Sequence, residues 1–214
     1  MTITTNPSLA RTDVAATPAT APAAGAAPLV RSAGALVTAG ALIWAASMVT
    51  YGTTPADSLG ITVTDLAALP FQIGLFALVT AQQRTRATGV SRVARGMLKA
   101  EYGLLALATL WTVLHGAVPA FRDDLWLSIL DMFWPLSMLG MFVIGVKIVF
   151  TRRWRGPARV WPIIAESWAV VTVPSMAILG PSVAAWVGPA HLLLGYTVLG
   201  LILALRPHLT GARD

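Results

Sequence analysis

Residues 61–74 read ITVTDLAALPFQIG, and residues 127–140 read LSILDMFWPLSMLG. Both fit one frame: Ile or Leu, then Thr or Ser, then Val or Ile, any residue, Asp, and Gly nine positions after the Asp. The chain has only nine carboxylate side chains, so two in the same frame, each followed by a long apolar run, set the first question about the fold. The runs extend to about 20 residues, the length a helix needs to cross a bilayer core. Composition agrees. Of 214 residues, 56% are hydrophobic and 11% charged, against about 25% charged in soluble domains, and the mean hydropathy is +0.72. These values predict an all-α polytopic integral membrane protein whose partner is the lipid bilayer.

Six transmembrane helices are expected, over 32–52, 62–83, 96–117, 127–150, 160–179 and 184–205, as three tandem helical hairpins. Arg11 and Arg31 precede the first span. Arg84, Arg86, Arg92, Arg95 and Lys99 surround the second loop, Arg152, Arg153, Arg155 and Arg159 fill the fourth, and Arg206 and Arg213 follow the last span. Loops 53–61, 118–126 and 180–183 hold only Arg122. With Lys147 counted beside the fourth loop, 14 of the 15 basic residues fall on one side. The positive-inside rule then places both termini in the cytoplasm, with the protein in the bacterial inner membrane. The +6 net charge is therefore a property of loops and does not indicate a nucleic-acid partner. Residues 1–30, rich in Ala, Pro and Thr, read as a disordered cytoplasmic tail with too little apolar surface to offset ordering. Residues 31–206 read as the membrane domain and 207–214 as a short cytoplasmic tail. With no cysteine, disulfides, thiolate metal sites and cysteine nucleophiles are excluded.

The repeated frame belongs to a longer pattern. YGTTPA (51–56), HGAVPA (115–120) and LGPSVA (179–184) recur at an offset of 64. They place Gly52, Gly116 and Gly180 at the ends of the three odd spans. Gly74, Gly140 and Gly195 lie partway along the even ones, and LGMFVIGV (139–146) parallels LGYTVLGL (194–201). Parallel repeats about an axis along the membrane normal account for this. Shared use of Ala, Gly, Leu and Val by membrane helices accounts for it as well.

Two readings of the aspartates stand side by side. Thr62 with Asp65, and Ser128 with Asp131, match the capping-box pattern and would serve as helix caps, occupying unpaired N–H groups where the second and fourth spans begin. Alternatively Asp65, His115, Asp131 and His191, together with Trp134, bound an outward-facing binding cavity, since ionisable groups in a membrane face a cavity or each other. Pro70, Pro135 and Pro189 would kink the even helices and open that space, with Trp111, Trp126 and Trp186 at the same level. At the other end, Lys147 and Glu166 are placed for a structural ion pair, unless Lys147 snorkels to the headgroups. Glu101, near Arg95 and Lys99, reads as an interfacial charge.

Binding or transport of a small molecule through the outer cavity is the leading functional expectation. An accessory or structural role, packing against a membrane partner or in a homo-oligomer, is an alternative that small residues such as Gly34 and Gly40 permit. A haem b redox protein with His115 and His191 as axial ligands is another. Catalysis is not expected. No metal-binding spacing is present, and Ser137 and Ser167 have no histidine expected at their depth. The stretches DMFWPLSMLGMFVIG and RRWRGPARVWP, within residues 31–206, resemble those of uncharacterised multi-pass integral membrane proteins of high-GC bacteria. That resemblance implies a membrane location; it supplies no cofactor, activity or site residues.

Overall fold

The structure, a computed structural model, describes residues 25–214; the expected disordered tail lies outside these residues up to position 24. The described chain is helical. Five stretches are long and apolar enough to cross a membrane: Ala26–Tyr51, Ser58–Arg84, Arg92–Ala117, Leu125–Thr151 and Ala185–Leu205. The first three are unbroken helices, α1 (Ala26–Tyr51), α2 (Ser58–Arg84) and α3 (Arg92–Ala117). The fourth is α4 (Leu125–Asp131) followed, across Met132, by α5 (Phe133–Thr151). The fifth stretch runs from α8 (Pro181–His191) through a π-helical turn, Leu192–Thr197, into α9 (Val198–Leu205).

Helix α1 is the centre of the packing, with α2 on one side and α9 on the other. Lipid tails are as apolar as leucine, so close packing rather than water exclusion must hold such helices together. Glycines provide that closeness. A Cβ on Gly40 would run into the backbone of Pro70 and Phe71, and one on Gly74 would stand 2.8 Å from Val37 Cα. Across the other face Gly34 and Gly200 oppose each other, each blocking a Cβ on its partner with its carbonyl oxygen. Between these crossings Trp44 and Phe71 stack at 5.3 Å, and Tyr196 meets Phe71 edge-on at 4.8 Å.

Several expectations are corrected. The segment at 160–179 is two helices of 11 residues each, α6 (Gly156–Glu166) and α7 (Trp168–Ile178), jointed at Ser167. Pro162 and Pro174 each lack a backbone donor, and the Ser167 hydroxyl donates to Ile164 O at 2.8 Å, competing with the helix ladder. Thr62, Asp65, Ser128 and Asp131 cap no helix start. Helix α2 begins a turn earlier, where Asp57 accepts from Gly60 N at 2.8 Å. Helix α4 likewise begins after Asp124, leaving Ser128 to donate to Asp124 O at 3.4 Å. The two copies of the frame also differ locally. Asp65 lies within an unbroken helix, whereas Asp131 ends α4 just before the break at Met132.

At the chain ends, α1 starts before the expected residue 32 because Ala26, Ala27 and Val30 are buried in the common core with Ala212. The 207–214 segment is a packed element, not a free tail. It turns at Pro207–Thr210, its Leu209 O accepts from Arg155 N at 2.8 Å, and Arg213 O accepts from Ala27 N at 3.3 Å.

Candidate functional site

The end of the bundle where Arg122 is the only loop cation carries a hydrogen-bonded clasp. Asp65 Oδ2 and His115 Nδ1 are 2.6 Å apart. Helices α2 and α3 come this close because Gly116 has no side chain; a Cβ there would stand 2.9 Å from Asp65 Cβ. The His115 ring is stacked on Trp111, with centroids 4.6 Å apart and an interplanar angle of 15°. Arg122, from the following loop, closes the arrangement. Its Nε donates to His115 O at 2.8 Å, and its two terminal nitrogens donate to Ser58 Oγ at 2.9 Å and Thr62 Oγ1 at 2.7 Å. Thr62 in turn donates to Gly116 O at 2.9 Å. Thr62 thus ties two helices together instead of starting one.

Beside the clasp lies a cavity of about 320 Å³. Trp44, Trp111, Trp134 and Trp168 wall it, with Met48, Ala68, Pro135, Ala169 and Val173, and its polar lining is Thr53, Thr64, Asp65, Thr112 and Asp131. Trp44 is the hub of the wall, its ring 5.2 Å from Trp134 and 6.0 Å from Trp168. At the floor, Thr112 Oγ1 accepts from Gln72 Nε2 at 2.8 Å and from Trp134 Nε1 at 2.9 Å. Asp65 is shared with His115, whereas Asp131 is exposed and forms no ion pair among the described residues.

Of the residues singled out in the sequence, Asp65, Asp131 and Trp134 line this cavity, with Trp111. His115 stands behind it, held by Asp65. Trp126 and Trp186 are exposed and not among its walls. His191 is not a lining residue either: its Nε2 lies 3.1 Å from Ser167 Oγ. The expectation that Ser167 has no histidine at its depth is thereby corrected. Ser167 sits at the joint between α6 and α7 and there meets His191 of α8. The two histidines belong to separate sites and share no lining of the cavity.

Further along the bundle, toward the Arg-rich end, two more expectations change. Glu101 is not interfacial. It is the tenth residue of α3, only 1% exposed, and its Oε1 accepts from Ser137 Oγ at 2.6 Å. Glu166 forms no ion pair with Lys147. Its Oε1 accepts from Gln82 Nε2 at 3.0 Å inside the bundle, while Lys147 is exposed on the surface of α5. The mismatch is rotational. Similar depth on neighbouring helices does not fix which side faces the partner, and Lys147 points away. Trp44, Trp168, Gln72 and Gln82 were not singled out in the sequence, and Ser137 was weighed only as a nucleophile. Gln72 and Gln82 were the available signal, two amides inside an apolar span where an unpaired polar group is costly. Arg122, alone in its loops, was another.

Replacing Arg122 by alanine is expected to destabilise the fold by about 2 kcal/mol, because charge-assisted hydrogen bonds contribute more than neutral ones and the acceptors of two helices lose their donor. Thermal unfolding in detergent would measure this, with Arg122→Lys giving partial recovery. An unchanged midpoint would show that the clasp carries no stability.

No family model, curated protein or solved structure matches the chain.

Proposed function

We propose that this chain is a six-pass protein of a bacterial cytoplasmic membrane, with both ends in the cytoplasm, that binds and carries a small organic cation. In this reading the jointed pair α6–α7 makes the remaining pass, and the Arg-poor end faces outward, as the distribution of loop cations favours. One observation carries the choice of ligand: a single cavity combines four indole rings and two carboxylates and has no basic lining residue. Indole faces attract cations through their quadrupole, with contributions of about 0.5–2 kcal/mol per ring. A carboxylate free of a protein partner supplies the counter-charge. Asp131 fills that role, while Asp65, already engaged by His115, sets the polarity of the wall. The cavity volume, about 320 Å³, is at the lower end of the range for small-molecule sites.

Benzyltrimethylammonium, which joins an aromatic ring to a fixed positive charge, is a suitable probe. Its addition to the purified protein is expected to change tryptophan emission saturably. Asp131→Asn should weaken its binding about tenfold, equivalent to about 1.4 kcal/mol. Equal affinity of the variant, or equal binding of a neutral analogue of the same shape, would end this reading.

A further inference from the structure

Among the buried polar atoms without a partner between the cavity and the Arg-rich end are Gln82 Oε1, Glu101 Oε2, Glu166 Oε2 and the Tyr196 hydroxyl. Their residues are 1% exposed or less. Each carboxyl rests on a glycine of α5. A Cβ on Gly140 would collide with Glu101 Oε2, and one on Gly145 with Glu166 Oε2. Those glycines are five residues apart, so the two carboxyls are offset along α5 by about 7.5 Å. Glu101 is the one nearer the cavity.

No basic side chain bonds to either carboxyl among the described residues. Elements packed around them contribute Ser137 from α5, Gln82 from α2 and Tyr196 from the π turn. Lys147 on α5 is exposed, and Arg159 on α6 is bound to Val149 O at 2.8 Å. An ionised carboxylate can accept about four hydrogen bonds, yet each here receives one from a side chain. An unpaired buried charge is expensive, and a proton removes it. The Gln82–Glu166 pair is consistent with the neutral acid. Paired face to face, an amide and a carboxylic acid each use one donor and one acceptor. Gln82 Nε2 already donates to Glu166 Oε1, and the atoms left over are a carboxyl oxygen able to carry a proton and an amide oxygen able to accept one.

The carboxyls are also in line with the cavity. Trp134, on its wall, precedes Ser137 by three residues on α5, about 4.5 Å along the axis, and Ser137 donates to Glu101. Beyond Glu166 the series continues through Gln82 to Thr85, one turn on, which accepts from Trp154 Nε1 at 2.9 Å close to the Arg-rich loops. A unit charge about 10 Å away, through an interior of effective dielectric about 20, shifts an ionisation roughly ten- to twentyfold. A cation arriving in the cavity therefore favours loss of a proton below it.

We propose that Glu101 and Glu166 are membrane-embedded proton-carrying sites, neutral in this conformation, and that the protein exchanges one of their protons for one monovalent organic cation in the cavity. The exchange rests on the cation reading above. The proton sites rest on the carboxyls alone, and the tests separate the two. Dicyclohexylcarbodiimide modifies protonated carboxyls in apolar surroundings. Glu101 lines a groove of about 320 Å³ between α3 and α5, walled by Met97, Leu104, Leu136 and Val143, and should be labelled near neutral pH, while the exposed Asp57 and Asp123 are not. Peptide mass spectrometry reads the result, and an unlabelled Glu101 would overturn the proton site whether or not any cation binds. For the exchange, benzyltrimethylammonium is added to weakly buffered protein. About one proton is expected to be released per cation bound, and affinity should rise about tenfold per pH unit over the window of exchange. Asp65, Asp131 and His115 are further ionisable groups beside the cavity, so the comparison is with Glu101→Gln and Glu166→Gln, which should still bind the cation but release fewer protons and show a flatter pH profile. Cation binding without proton release in the natural protein, or release unchanged in both variants, would overturn the exchange. Failure of the cation to bind would remove both it and the function it rests on, leaving the carbodiimide result to decide the proton sites.

Discussion

Leucine in place of Gly40 is expected to prevent assembly of the bundle. A Cβ at this position would meet the Phe71 backbone and stand 2.6 Å from the Pro70 carbonyl carbon. Backbone cannot rotate out of the way as a side chain can, so α1 and α2 must separate. Their separation would break the Gly74 crossing and the Trp44–Phe71 stack together. Overpacking in a filled core costs about 1–3 kcal/mol when neighbouring side chains can adjust, and here backbone blocks the adjustment, so the effect should lie at or above that range. Size-exclusion profiles and thermal unfolding in mild detergent would measure it. Gly103→Leu is the matched control, because nothing lies within 4 Å of a Cβ there. A monodisperse, normally stable Gly40→Leu protein would disprove the close α1–α2 crossing.

Trp44→Ala should remove both stability and binding. Trp44 is 7% exposed and contacts Phe71, Trp134 and Trp168 at centroid distances of 5.3, 5.2 and 6.0 Å. Large-to-small changes at such sites cost about 3–5 kcal/mol in soluble cores. In lipid the transfer part is smaller and the lost packing remains, so about 3 kcal/mol is expected. Loss of the hub also frees Trp134 and Trp168 to shift, which enlarges the cavity and scatters the aromatic wall. Benzyltrimethylammonium binding should then weaken by more than Asp131→Asn produces. Trp44→Phe should recover most of the stability and part of the binding, because a ring is retained. Full cation binding by Trp44→Ala at normal stability would remove the aromatic cavity from the mechanism.

The helical class was legible because apolar runs of about 20 residues have few other stable forms in a membrane. The third span, expected over 96–117, ends where α3 ends but starts four residues early, because the Ser91 hydroxyl accepts from Ala94 N at 3.1 Å and begins α3 at Arg92. At Thr62 and Ser128 the same local logic misled, because Asp57 and Asp124 lay upstream and the helices ran back to them. The span at 160–179 misled for a related reason. Hydropathy averages over a window and does not register a joint made by Ser167 between two prolines.

The sequence by itself determined an all-helical, membrane-spanning class, the asymmetry of positive charge between the two ends, and the gathering of Asp65, Asp131 and Trp134 at one level. These follow from composition and distance along the chain, which rise along a helix converts directly into depth. Tertiary structure alone decided rotation: that Glu101 and Glu166 turn inward while Lys147 turns out, that Asp65 takes His115 while His191 takes Ser167, and that Trp44 and Trp168 complete the wall. A helix that is apolar on every side carries almost no mark of which face meets which neighbour, so the facing is settled only when glycine contacts such as Gly40 on Phe71 and Gly34 on Gly200 lock the helices against one another.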